Sequence, residues 1–198
     1  VTLQRHLVIF AKTPRLGTVK NRLAAGIGPV AATGFYRQCL GTIVRRLSCD
    51  TRWHTTLAVT PERDALTGQW WPHNVPRLAQ GPGNLGDRMD RVARTMPPGP
   101  VVIIGTDIPD IAPRHIHAAF TALGDHEAVF GPSEDGGYWL VGLRRRPVMP
   151  DLFTGIRWST RHALADTRAN LPPGTSAAML ESLIDVDERE EYLAWRKR

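Results

Sequence analysis

Four short stretches of this sequence carry residue types that could do chemistry together. The first, FAKTPRLGTVK from Phe10 to Lys20, runs straight into NRLA and sets Lys12, Arg15, Lys20 and Arg22 around Gly17. A glycine lets the backbone turn or approach a ligand closely, and free amides at a helix start add to the positive charge, so a di- or triphosphate is the natural guest. The pattern is neither Walker A nor GxGxxG, and a solvated basic loop is the competing reading.

The second stretch, GTDIPDI, places Asp107 at the end of the apolar run VVIIG. A carboxylate there can hold a hard cation, Mg2+ or Mn2+, which bridges phosphate oxygens and stabilises charge on a leaving diphosphate. Asp110 is either a second ligand or a helix cap ahead of Pro113. In the third stretch, SEDGGYWL, Asp135 or Glu134 offers an acceptor for sugar hydroxyls or a general base, while an Asp-Gly hairpin turn is the plainer reading. Tyr138 and Trp139 suit stacking on a sugar or base, and Trp139 suits the core equally well. The fourth, DVDE, adds Asp185 and Asp187 as helix caps or as a second metal contact.

Apolar, β-branched segments alternate with helical patterns along the chain: HLVIF, PVAATGFYRQCLGTIVRRL, TTLAV, NLGDRMDRVARTM, VVIIGTD, APRHIHAAFTAL and EAVFG. This rhythm predicts βα units around a mostly parallel sheet, whose ligands collect at the carboxyl ends of the strands. In the first long helix Val30, Phe35, Leu40, Ile43, Val44 and Leu47 form the expected core face. VVIIG is apolar enough to be a central strand buried on both faces. After Gly131 the rhythm changes, and YWLVGL reads as a hairpin partner or an antiparallel strand joining a mixed sheet. Further on, WSTRHALADTRANL reads as a helix capped by Ser159 or Thr160, with DEREEYLAWRKR as the last helix.

With 198 residues the chain is expected to form one domain, and no linker divides it. A net charge of +6 favours anionic partners such as nucleotides or phosphorylated metabolites. The basic clusters RRR at 144–146, RR at 45–46 and RKR at the end read as solvated surface; dispersed as they are, with no nucleic-acid motif, they argue against a nucleic-acid-binding module. Cys39 and Cys49 match no zinc spacing, and LVIF is too short for a membrane span, so a reduced, cytoplasmic protein is expected.

Taken together, FAKTPRLGTVKNRLA, GNLGDRM, GTDIPDI, GPSEDGGYWLVGL, LFTGIRWST and DVDERE resemble the successive motifs of a bacterial glycosyltransferase-A-like family that includes enzymes assigned to arsenosugar biosynthesis. More distantly the sequence is similar to phospholactate and molybdenum-cofactor guanylyltransferases. The resemblance implies a nucleotide-diphospho-sugar transferase fold, a Rossmann-like three-layer α/β/α sandwich with a mostly parallel mixed sheet. It also implies that Lys12, Gly17, Lys20, Arg22, Gly86 and Arg88 hold the nucleotide, and that Asp107, with Asp187, holds the metal. Asn21 stands where such proteins often have Thr, and DVDERE lacks their usual Thr-Pro.

The expected activity is a metal-dependent glycosyltransferase that takes a nucleotide-sugar and a small-molecule acceptor, with Asp107 and Asp135 as the catalytic carboxylates. The alternative is a nucleotidyltransferase that joins a nucleoside triphosphate to a phosphorylated metabolite.

Overall fold

A computed structural model describes residues 3–67, 70–146 and 148–197. Its centre is a seven-stranded sheet in the order β3-β2-β1-β4-β6-β5-β7. The strands are β1 (His6–Lys12), β2 (His54–Thr60), β3 (Arg77–Ala79), β4 (Val101–Ile104), β5 (Ala128–Pro132), β6 (Tyr138–Leu143) and β7 (Ala177–Met179). Only β6 runs antiparallel to its neighbours, inserted between β4 and β5. The sheet is therefore mixed but mostly parallel, as the βα rhythm required.

Alternation along the strands explains the layers. Leu7, Ile9, Val102, Ile104, Val129 and Leu140 face one buried cluster, whereas Val8, Val101, Ile103, Phe130, Val141 and Leu143 face another. The helices α1 (Asn21–Ile27), α2 (Pro29–Ser48), α5 (Pro113–Ala122) and α7 (Arg189–Arg196) cover the first face. On the second lie α4 (Leu85–Thr95) and α6 (Ala163–Ala169), and the short α3 (Glu62–Thr67) follows β2. A strand buried on both sides must be apolar on both sides, which is why VVIIG shows no alternation.

The long helix α2 buries the stripe Ala32, Phe35, Tyr36, Cys39, Leu40, Ile43, Val44 and Leu47. Val30 corrects the expected core face: it lies in the first turn, outside that stripe, and is 74% exposed. Ser159 and Thr160 do not cap α6, which starts only at Ala163 after His162. The hydroxyl of Thr160 instead donates to the carbonyl of Arg157 and accepts from the amide of His162, so the polar pair shapes the preceding turn.

One arginine in each of two basic clusters bonds backbone carbonyls, while Arg45, Arg46 and Arg146 are exposed as expected. Arg145 lies across the end of α4 and donates to the carbonyls of Ala93, Met96, Pro97 and Gly99. Arg46 donates to the carbonyls of Pro109 at 3.2 Å and Ile111 at 2.7 Å, fastening the loop that follows β4. An arginine fork satisfies several carbonyls that no backbone amide reaches.

Gly131 in β5 lies under the indole of Trp139: a Cβ there would sit 2.3 Å from the ring. Gly131→Ala is expected to cost about 1–3 kcal/mol through overpacking, read as a lower midpoint in urea unfolding with an unchanged slope.

Candidate functional site

The carboxyl ends of β1 and β4 open onto a cavity of about 700 Å³. A second cavity of about 320 Å³ adjoins it, and Leu85, Gly105, Asp107, Tyr138, Trp139 and Asp187 line both.

The first loop reaches this place because Val19 and Leu23 are buried beneath it. Lys20, just before α1, has a left-handed backbone with φ of 50°. Such a conformation is costly for a residue with a Cβ and persists only where its surroundings hold it. Here the ammonium holds it: Lys20 Nζ lies 2.6 Å from Asp187 Oδ1 and 3.1 Å from Asp107 Oδ1, with only 5% of the side chain exposed. Arg22 also bonds Asp187. Burial disfavours charge on Lys20, yet the two carboxylates outweigh it and hold the ammonium above the ordinary lysine range. Burial likewise works against ionised Asp187, and Lys20 with Arg22 overcomes it, keeping that carboxyl below the usual range.

Asp187 arrives from the far end of the chain. Phe35 of α2 meets Tyr192 and Trp195 of α7 edge to face, with centroids 5.5 and 5.0 Å apart. Upstream, the amide of Val186 donates to the carbonyl of Asp107 and Leu183 pairs with Ser133, so segment 183–187 is stitched between the β4 loop and the β5–β6 turn. The amide of Asp187 donates to Glu191, which also caps α7. The same stitching brings in Asp185. Burial first, then Asp187 and Asp135, push its carboxyl up to about 6.

Behind the loop, Tyr36 joins two strand ends through one hydroxyl. It accepts from the amide of Lys12 at 2.9 Å and from Thr106 Oγ1 at 3.2 Å, and donates to the carbonyl of Lys12 at 3.0 Å. Burial pushes this hydroxyl up to about 12, so it keeps the proton it donates. Gln80 plays a matching part at the other wall, donating to the carbonyls of Ala11 and Ala58 while accepting from Arg88 Nη1 at 3.0 Å. Nothing in the sequence marked Gln80, because a lone glutamine after a three-residue strand resembles any surface polar residue.

Lys12, Lys20, Arg22 and Arg88 thus stand together around the larger cavity with Asp107 and Asp187. Asp135 lines the smaller one beside Asp185, its Oδ1 accepting from the amide of Gly137 at 2.9 Å. SEDGG thus forms the expected hairpin turn and also borders the smaller cavity. Gly136, with φ of 83°, lets that turn press against the backbone of Arg161. Gly17 turns the loop with φ of 72° and lines neither cavity. Gly86 is buried, and a Cβ on it would meet Phe153 and Trp158, so it seats the 153–158 loop on α4 rather than lining either cavity. Asp110 does not cap α5: that cap is Ala112, whose amide donates to His115 Nδ1. Trp139 is core, 4% exposed, with its Nε1 donating to the carbonyl of Glu181. Among the described residues no three His, Cys, Asp or Glu side chains form a ready metal cluster.

Residues 43–160 match the bacterial family DUF2064, described as "Uncharacterized protein conserved in bacteria". The chain belongs to this family. Within the DUF2064 match fall Asp107, Asp135 and Arg88, while the first loop and Asp187 lie outside it. No curated protein matches the sequence. Among solved structures, a protein from Desulfovibrio desulfuricans G20, provisionally named a nucleotide-diphospho-sugar transferase, shares 27% identity over 93% of this chain and 82% of its own, with a TM-score of 0.82. A nucleotidyl transferase from Methanothermobacter shares 12% identity over 98% and 96%, with a TM-score of 0.63. Rv0371c from Mycobacterium tuberculosis H37Rv, solved in complex with manganese, shares 14% over 97% of each chain, with a TM-score of 0.55. The fold is that of the nucleotide-diphospho-sugar transferases, as the motifs implied. Among the described residues no helix is long and apolar enough to cross a membrane.

Two outcomes follow from this geometry. Tyr36→Phe removes a buried hydroxyl with three partners and should cost about 1–3 kcal/mol in urea unfolding, with no change in charge. Loop 156–160, on the smaller cavity, is tied down by Arg157, whose amide and guanidinium donate to Asp166 and lower that carboxyl to about 2. A depressed folded-state pKa stabilises the fold above the unfolded value near 4, and the benefit disappears as pH falls toward 2. Asp166→Asn should therefore lower Tm at pH 7, with the gap to wild type narrowing between pH 4 and the acid limit of folding.

Proposed function

We propose that the chain is a transferase that takes a nucleotide-diphospho-sugar as donor and passes the sugar to a small-molecule acceptor, assisted by Mg2+ or Mn2+. The observation that carries this reading is the pair of joined cavities, basic on one side and acidic on the other, with Asp107 and Asp187 at the border. The 27% identity to the Desulfovibrio protein over most of both chains supports it.

In this reading the nucleoside lies in the larger cavity and its diphosphate over Lys12, Lys20, Arg22 and Arg88. The residues at the border fit a divalent cation: two carboxylates completed by phosphate oxygens are the hard oxygen set that Mg2+ and Mn2+ take, and both already draw one ammonium between them. When bound, the cation neutralises charge on the departing diphosphate. Asp107 and Asp187 would hold it. The acceptor hydroxyl oxygen attacks the anomeric carbon while the bond from that carbon to the diphosphate breaks, its electron pair leaving with the nucleoside diphosphate. The hydroxyl proton passes to a carboxylate of the smaller cavity, for which Asp135 is the candidate. Lys20 and Arg22, freed from Asp187 as phosphate arrives, stabilise the leaving group.

A nucleotidyltransferase is the second reading, favoured by four cationic side chains on the larger cavity, enough for a triphosphate. A thermal-shift panel separates the two, since the true donor raises Tm most. Nucleotide-sugars should exceed nucleoside triphosphates; the opposite order selects the second reading. For the metal, Asp107→Ala should abolish the Mn2+-dependent part of nucleotide binding in a calorimetric titration, with a lowered Tm but an intact fold because Asp187 still pairs Lys20. Unchanged binding removes Asp107 from the metal site.

A further inference from the structure

The two cavities differ in charge more than a single substrate requires. Lys12, Lys20, Arg22 and Arg88 line the larger one, whereas no Lys, Arg or His among the described residues lines the smaller. The smaller cavity instead carries four carboxylates, Asp107, Asp135, Asp185 and Asp187. Among the described residues its ion pairs are at the border, where Lys20 and Arg22 engage Asp187 and Lys20 also reaches Asp107. Asp135 and Asp185, on the inner side, make no ion pair among the described residues, and Asp135 accepts from the amide of Gly137.

The rest of the wall is aromatic and hydroxylic. Tyr138 and Trp158 line it, their ring centroids 6.3 Å apart and the rings at 71° to each other. Hydroxyls come from Ser133, Ser159 and Thr160. The left-handed backbone of Ser159, with φ of 59°, is held at this wall although a β-carbon disfavours it. Aromatic faces take the C–H side of a sugar ring, and carboxylates accept from its hydroxyls or from an ammonium. A phosphate or carboxylate on the guest would instead meet the like charges of Asp135 and Asp185, with the cationic groups confined to the border beside Asp107 and Asp187.

We infer that the smaller cavity selects a hydroxylated ring that is neutral or carries an amine, and excludes phosphorylated and carboxylated ones. This rests on the donor reading above for the assignment of the larger cavity, and it names the class of the second substrate. It also separates the two activities on chemical grounds, because a nucleotidyltransferase must seat a phosphorylated metabolite where this wall repels one. The exclusion comes from missing cations as much as from present anions, which is specificity by repulsion.

The test compares four pyranoses that differ mainly in charge: glucose, glucosamine, glucuronate and glucose 6-phosphate. Saturation-transfer NMR and competition are read on the full chain, with the larger cavity filled by Mn2+-free nucleoside diphosphates, each of the common bases in turn, and again without nucleotide. Glucosamine and glucose should bind, glucosamine about tenfold or more tighter than glucuronate, and glucose 6-phosphate should give no signal once nucleotide is present. Asp135→Asn with Asp185→Asn, which keeps the acceptor for Gly137 and the side-chain volumes, should remove most of that difference while Tm stays within a few degrees. Glucuronate or glucose 6-phosphate binding as tightly as glucosamine in the presence of nucleotide overturns the inference, and so does the absence of binding by all four. Failure of every nucleoside diphosphate to bind would sink the donor reading instead; the nucleotide-free arm with glucosamine, glucuronate and the double variant still decides the inference.

Discussion

One ammonium holds three distant parts of this chain in register. Lys20 belongs to the loop after β1, Asp107 to the loop after β4 and Asp187 to the segment before α7, and the amine lies within 3.1 Å of both carboxylates. Two carboxylates brought together without a cation repel each other, and a buried lysine without a carboxylate loses its charge. Each group is thus stable in its place because of the others. The left-handed backbone of Lys20, the short helix α1 that follows it and the course of segment 183–187 all depend on that arrangement.

Around it, the fold divides charge between two spaces. The parallel half of the sheet, β1 and β2 with β4, delivers the basic loop and, through Gln80, the guanidinium of Arg88. The antiparallel insertion β6 closes the hairpin that presents Asp135, and the chain's return across that hairpin presents Asp185. In the proposed function a phosphate ligand and a hydroxylated ring lie side by side, each against the wall that suits its charge. Tyr36 and Gln80 line the larger cavity and use their hydrogen bonds on backbone groups at strand ends, while Arg46 fastens the loop after β4.

Much of the scaffold was legible from hydrophobic pattern alone. The runs HLVIF, TTLAV, VVIIG and EAVFG became β1, β2, β4 and β5, and YWLVGL became the antiparallel strand β6. The three-residue strands β3 and β7 went unread, since so short a run has no periodicity to detect. Val30 misled because it is apolar in a helix whose buried stripe passes it by, and Arg145 and Arg46 misled because nothing local distinguishes an arginine in water from one bonded to distant carbonyls.

By itself the sequence determined the chemical inventory: basic loop, terminal aspartates, a glycine-bearing turn and a βα order that places each at a strand's carboxyl end. These are local properties, set by residue type and short-range periodicity. Only the tertiary structure decided which of them meet. It put Lys20 between Asp107 and Asp187, set Asp185 beside Asp135 and added Gln80, while leaving Gly17 and Gly86 outside both cavities. The reason is sequence separation: residues from tens to well over a hundred positions apart come together through the burial of Phe35 against Tyr192 and Trp195 and through backbone pairing at Ser133, and no short window of sequence contains both partners.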